Sequence, residues 1–396
     1  MNVTKWPKSE DVFAELIRSC SDDGRTIRIE GGGTRAALGR PVAADEVLST
    51  HGLSGVTLYE PSELVISAKA GTPLFEIEAA ISAHHQMLPF EPMDHRGLLG
   101  TAGEPTIGGV AACGVSGPRR IQQGAARDHL LGIRFVNGRG EIVKSGGRVM
   151  KNVTGLDLVK LSCGAYGTLG LLTEVTFKLR PKPQRTGTLA INGLDDARAV
   201  AALSMALGSP FEVSAAAHLP AGVVGNAACT LLRIENFADS LDYRLGELAK
   251  LLAEIGPSRR LEELESLPLW RDIRDVAPLV APRAHAVWRI SAAPTDGPKI
   301  VAALQAQFSF RHFYDWGGGL VWLACEAGEH ANAAAIRAQT KAFNAHAMLV
   351  RAPDALRARL DVFEPQAAGL MLLTAGIKRS MDPQGIFNPG RMYAGV

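Results

Sequence analysis

The stretch "SCGAYGTLGLLTEVTFKLRPKP", residues 162–183, carries two signals in succession. Its first half sets Gly164, Gly167 and Gly170 among small residues. Its second half alternates Leu172, Glu174, Thr176 and Lys178 with Thr173, Val175, Phe177 and Leu179, the period-two pattern of a half-buried strand. That strand stops at Pro181 and Pro183, and the chain changes texture there, from glycine-rich to alanine-rich. A domain boundary is therefore expected at 183, and 396 residues are too many for one ordinary core in any case.

Working back toward the start, two more glycine clusters stand beside strand-like segments. "IRIEGGGTRAALG" (27–39) runs a short alternating strand into Gly31, Gly32, Gly33 and Thr34. "TIGGVAACGVSGPRR" (106–120) places Thr106, Gly108 and Gly109 ahead of Ser116 and Gly117. Backbone N–H groups without side chains around them make a phosphate cradle, and consecutive glycines at a strand end meet that need. Neither GxGxxG followed by a helix and an acidic residue nor GxxxxGK[ST] occurs, which excludes the Rossmann and Walker loops. Alone, GGGT reads first as a turn. Three clusters suggest several backbone segments converging on one long ligand, a dinucleotide buried along its length.

The remaining composition narrows the class. Apolar residues make up 46% and charged residues 21%, an ordinary globular balance. A net charge of +2 gives no strong attraction to nucleic acid or anionic lipid. The start "MNVTKWPKSEDVF" has no apolar core of signal-peptide type and no run approaches a membrane span, so a cytoplasmic protein is expected. Five scattered cysteines without a CxxC pair read as reduced buried thiols, not as zinc, iron–sulfur or disulfide sites, and no metal is expected.

Local signals fill in both halves. "ELVISAKAG" (63–71) alternates as a strand, and Thr72-Pro73 reads as an N-cap before a helix with Leu74, Ile77 and Ile81 on one side. Residues 131–136 and 141–144 read as a hairpin about Asn137-Gly138. Beyond 183, Leu241, Leu245, Leu248, Leu252 and Ile255 line one helical face closed by Gly256-Pro257. Strands are expected at 228–234, 286–290 and 320–324, giving an antiparallel sheet with helices on one face; no internal repeat is evident.

The order of GGGT, TIGG about seventy residues later, and GxxGTLGxxTE resembles the FAD-binding domains of the vanillyl-alcohol oxidase/PCMH-type flavoprotein family. "SGPRR" (116–120), "GGRVMKNVTGLDL" (146–158) and the ending "IKRSMDPQGIFNPGRMY" (377–393) resemble, within it, the FAD-binding subunits of bacterial glycolate oxidases. The likeness is nearly continuous from 31 to 183 and returns over the last twenty or so residues, while the part between matches in layout and length.

The resemblance implies an α+β fold. Residues 1–183 would form a two-lobed PCMH-type FAD-binding domain split near 52–57, residues 184–368 a smaller cap with an antiparallel sheet, and 369–396 a helix and tail returning to the first domain. It implies that Gly31, Gly32, Gly33 and Thr34 wrap the FAD pyrophosphate, that Thr106, Gly108, Gly109, Ser116 and Gly117 lie along the cofactor toward the flavin, and that Gly164, Gly167, Thr168 and Gly170 hold the adenosine side. Asn388 would meet the flavin domain from the tail. Thr34 stands where covalently flavinylated relatives carry histidine, so FAD is expected to be noncovalent. The partners implied are a sibling FAD-binding subunit and an iron–sulfur subunit, with any membrane association peripheral and through them; the substrate implied is glycolate or another small 2-hydroxy acid.

Oxidising a 2-hydroxy acid needs a hydride acceptor, a base for the hydroxyl proton and cations for the carboxylate. The sister family that oxidises D-2-hydroxy acids carries HxHxxDGN and EHG elements; here no HxH exists, and Glu329-His330 lies in an apparently helical stretch. His84-His85 reads as a solvated helix end, and His95 in "PMDHRG" as a solvated loop residue with a weaker claim to catalysis. Lys151 and Asn152 lie in the family motif near the flavin, although Leu156 replaces its usual tyrosine, and capping by Asn152 competes with a flavin contact. Arg119, Arg120 and Arg127 read as a solvated run or an anion site. Three readings stay open: a redox subunit whose own FAD takes part in glycolate oxidation, an FAD-binding structural or relay partner without turnover, and a free-standing oxidase of another alcohol.

Overall fold

The computed structural model describes residues 4–148 and 155–396. Two units emerge: residues 1–116, 125–182 and 365–396 form the first, and 117–124 with 183–364 the second.

The first unit contains two main sheets. In the smaller one Thr4–Lys5, Glu46–Ser49 and Ile27–Glu30 pair in parallel, with Glu46–Ser49 central. Helix Glu10–Asp22 seals it: Phe13, Ile17 and Cys20 face Ile27 and Leu48, and Ile386 and Phe387 complete the cluster from the tail. Ser9 caps this helix by accepting from Val12 N at 3.4 Å. The second sheet is antiparallel, in the order Val56–Glu60, Val65–Lys69, Leu171–Lys178, Leu130–Val136, Ile142–Gly146. Leu171–Lys178 is central because both its neighbours offer apolar alternation, and it buries both faces along most of its length.

Two local readings are corrected here. Thr72 is not the N-cap of helix Leu74–Ser82; Pro73 takes that position, and Thr72 Oγ1 donates to Lys69 O at 2.7 Å instead. The hairpin turn is not a two-residue Asn-Gly turn. Val136 pairs with Ile142 across a longer loop, and Gly140, not Gly138, takes the positive φ of 71°. Asn137 Oδ1 accepts from Arg139 N and Glu141 N, so its side chain adds to a backbone turn in which Gly140 N donates to Asn137 O at 3.0 Å.

The second unit is one eight-stranded antiparallel sheet, in the order Ser258–Leu261, Arg185–Asn192, Cys229–Asn236, Val213–Leu219, Phe310–Asp315, Leu320–Glu326, His285–Ser291, His346–Arg351. The order resolves into a repeat. Each half reads strand–helix–strand–strand–helix–strand, with helices Asp196–Leu207 and Ala238–Leu251 in the first and Gly297–Gln305 and Ala333–Ala342 in the second. This is the split βαβ layout twice over, and each half keeps its own apolar core, one around Leu203, Leu232 and Leu245, the other around Trp288, Ile300 and Leu323. The halves meet at one residue pair, His218 with Tyr314. That pair is only the ladder link between the two halves of the sheet; beside it Asp196 of the first half accepts from Tyr314 Oη at 2.7 Å and lies 2.8 Å from His312 Nε2. The sequence showed no repeat because the halves share a layout and not side chains.

Residues 117–124 belong to this second unit, although they fall inside the span assigned to the first domain from sequence. Two contacts hold them there: Trp316 Nε1 donates to Gly117 O at 3.1 Å, and Arg119 grips Glu235 through Nε at 2.9 Å and Nη2 at 2.8 Å.

Candidate functional site: a glycine-lined cleft

Within the first unit three chain segments, far apart in sequence, line a cleft with about 820 Å³ of atom-free space. Strand Ile27–Glu30 delivers the first, and Gly31, Gly32, Gly33 and Thr34 all line the cleft. Glycine is required at Gly32 because an added Cβ would lie 1.9 Å from the carbonyl oxygen of Glu104, and at Gly33 because φ is +77°. Ser49 Oγ donates to Gly31 O and Thr101 Oγ1 to Thr34 O, each at 2.9 Å, so side chains hold the loop through its carbonyls. Among the described residues, the amides of Gly32, Gly33 and Thr34 donate to no protein acceptor.

The second segment begins helix Ile107–Cys113. Thr106 caps it, its Oγ1 accepting from Gly109 N at 3.2 Å, and Thr106, Gly108 and Gly109 all line the cleft. The third segment is stitched to this helix by backbone: Gly164 N donates to Ala111 O at 3.1 Å and Tyr166 N to Ala112 O at 2.8 Å. Gly167 and Gly170 line the cleft. Gly164 and Thr168 stand behind it, with Thr168 Oγ1 turned to Ala165 O at 2.7 Å.

Three other residues expected at the site lie away from the cleft lining. Ser116 Oγ accepts from Ala126 N at 3.0 Å, and Gly117 is held by Trp316 in the second unit. Asn388, fully buried, is a clamp: its Oδ1 accepts from Ile29 N at 2.9 Å and its Nδ2 donates to Tyr166 O at 2.8 Å. One side chain thus ties the strand entering the glycine loop to the third segment. Lys378 performs a second tie, donating from Nζ to Thr168 O and Phe387 O, each at 2.8 Å, and to Asp382 at 2.7 Å. Burial lowers its pKa against the pull of Asp382.

Sequence reading missed Lys378, Arg35 and Arg391. Both arginines line the cleft and both are buried. The available signals were position alone: Arg35 follows GGGT directly, and Arg391 closes "FNPGR". Among the described residues lining the cleft there is no histidine and no lysine.

The candidate catalytic residues fare differently. Lys151 and Asn152 lie outside the described residues, and Leu156 is exposed. His95 is buried, not solvated, and does not line the cleft. His84 and His85 are exposed just past their helix. Glu329 and His330 sit in an exposed turn before helix Ala333–Ala342 and not within it. The arginine run is mixed: Arg119 is paired with Glu235 and partly buried, whereas Arg120, stacked 4.4 Å over the Trp316 ring, and Arg127 are both exposed, as a solvated run would be.

Chemically, the cleft offers backbone donors, two buried cations and apolar walls. That donor set fits a long ligand carrying an anionic middle. Comparison with known proteins agrees. The FAD binding domain family matches residues 2–146. The glycolate oxidase subunit GlcE of Escherichia coli is 33% identical, over 96% of this chain and 96% of that protein. The glycolate oxidase subunit GlcD of Bacillus subtilis is 27% identical, over 66% of this chain and 54% of that protein. The 4-ethylphenol oxidase of Gulosibacter chungangensis superposes with a TM-score of 0.72 over 99% of this chain and 89% of its own, at 14% identity, which is a likeness of fold. Among the described residues, no helix is long and apolar enough to cross a membrane.

Proposed function

Because the chain belongs to the family of FAD-binding subunits of bacterial glycolate oxidases, we propose that it is the FAD-binding component of a multi-subunit oxidoreductase converting glycolate, or a similar 2-hydroxy acid, to the 2-oxo acid. The observation carrying this is the convergence of 31–34, 106–109 and 166–170 on one cleft whose backbone a Cβ would fill. Gly31, Gly32, Gly33 and Thr34 with Thr106, Gly108 and Gly109 would hold FAD; Gly167 and Gly170 would close the far wall, with Gly164, Thr168 and Asn388 behind it. Ser116 and Gly117 stand outside the cleft lining and would not hold FAD directly. When bound, FAD supplies the acceptor for a hydride from the substrate carbon. Thr34 has no group able to bond a flavin as histidine does, so attachment is noncovalent, and acid precipitation should release all flavin into the supernatant.

A second reading has its own support. The described lining contains neither histidine, the usual base for a hydroxyl proton, nor lysine, and its one carboxylate, Glu30, is engaged by Arg28 at 2.7 Å. In that reading the chain binds FAD while a sibling flavoprotein performs the proton-coupled step, with an iron–sulfur subunit taking the electrons. Purifying the chain alone and adding glycolate or D-lactate without air separates the two. Bleaching establishes that its own flavin accepts hydride. A yellow protein that stays oxidised until the sibling is added supports the partner reading. A colourless protein that FAD does not reconstitute overturns both.

A further inference from the structure

We propose that Arg35 and Arg391 together form the charge complement of the FAD diphosphate, one from each end of the chain. The inference rests on the FAD reading above and names residues that reading does not. Each side chain is about nine-tenths buried, at 6% exposure, and each faces the cleft. Arg35 donates from Nη2 to Met93 O and Arg391 from Nη2 to Arg35 O, both at 3.1 Å, while the Nε of each has no protein partner. The nearby carboxylates are already engaged: Asp94 is gripped by Arg96 at 2.9 Å, and Glu30 by Arg28 at 2.7 Å.

Other buried arginines in the chain are neutralised or fully caged. Arg233 lies 3.4 Å from the Glu235 carboxylate, and Arg351 donates to the carbonyls of His285, Val280, Leu279 and Pro282. Two buried guanidiniums with no carboxylate bonded to them each carry a cost, since each loses hydration and keeps an Nε without a protein partner. A ligand bearing two negative charges removes both costs, and the guanidinium fork fits phosphate oxygens. The placement suits the middle of a dinucleotide. Arg35 directly follows the glycine loop, and its Nη1 lies 3.5 Å from where a Cβ on Gly109 would stand, so it looks from the first segment onto the second.

The test uses the full chain stripped of flavin, titrated by calorimetry with FAD, riboflavin and inorganic diphosphate, in wild type, Arg391→Met, Arg391→Lys and Arg35→Met. Each methionine variant should weaken FAD by about tenfold to hundredfold, with Arg391→Lys between. Riboflavin, which lacks the diphosphate, should bind all four alike. The flavin-free methionine variants should melt no lower than wild type, because an unneutralised buried charge has been removed; a merely structural arginine would lower the melting temperature. FAD affinity held within about threefold overturns the inference. So does parallel weakening of FAD and riboflavin, or a markedly lower melting temperature of the flavin-free variants. If wild type takes up diphosphate but not FAD, and the methionine variants lose the diphosphate, the FAD reading fails and the anion site stands. Wild type that binds neither overturns both.

Discussion

Replacing Asn388 with alanine should weaken the fold and the cleft together, and the size of the effect follows from the clamp. The side chain is 1% exposed, accepts from Ile29 N and donates to Tyr166 O. Alanine removes both bonds, whose far ends lie on half-buried residues lining the cleft. Leaving such partners unmet costs about 1–3 kcal/mol for each, so about 2–6 kcal/mol for the two. Asn388 also has φ +40°, a left-handed conformation that asparagine tolerates and alanine resists by about 1–2 kcal/mol. The expected total is about 3–8 kcal/mol, a large share of an ordinary domain's stability. Asn388→Gly relieves the backbone part and should recover about 1–2 kcal/mol of it. Asn388→Asp keeps the Ile29 bond but sets a carboxylate oxygen against Tyr166 O, and should resemble alanine. Urea denaturation followed by tryptophan fluorescence and by FAD release reads both consequences. An Asn388→Ala variant within about 0.5 kcal/mol of wild type, or one no weaker than Asn388→Gly, would refute the reasoning.

Other outcomes follow from the same geometry. Gly32→Ala must displace backbone, since its Cβ would meet Glu104 O at 1.9 Å, and should weaken FAD by about tenfold or more in a fluorescence titration. Lys378→Met leaves the fully buried Asp382 without its cation and should destabilise by about 3–5 kcal/mol in a denaturant melt. Burial pushes the Glu235 carboxyl up, but Arg233 and Arg119 outweigh it and hold its pKa well below the ordinary 4.5. A depressed folded pKa means stability that is full above 4.5 and lost as pH falls from there toward about 2, so Glu235→Gln should flatten the acid branch of the stability–pH curve over that window.

The three glycine clusters were legible because their signal is local. A backbone that must approach another backbone excludes side chains at the residues themselves, as Gly32 does against Glu104, and this shows in the letters. Strand Leu171–Lys178 and helix Ala238–Leu251 were legible for a similar reason, since their periodicity records which face is buried. The hairpin about Asn137 was misread because the turn spans 137–140 and puts the positive φ on Gly140, two residues past the Asn-Gly pair. His95 was misread because burial of a loop residue depends on what lies over it.

What the sequence determined by itself was therefore the family, the fold class and which stretches of backbone must stay bare. The tertiary structure decided the rest: the doubled βαβ layout, which rests on hydrogen-bonding order and not on shared residues, and the partners of the buried charges. Arg391 meets the carbonyl of Arg35 across 356 positions, and Lys378 meets that of Thr168 across 210. No local pattern encodes such a meeting, because a charged side chain is written the same way whether it faces water, a carboxylate or the middle of a ligand.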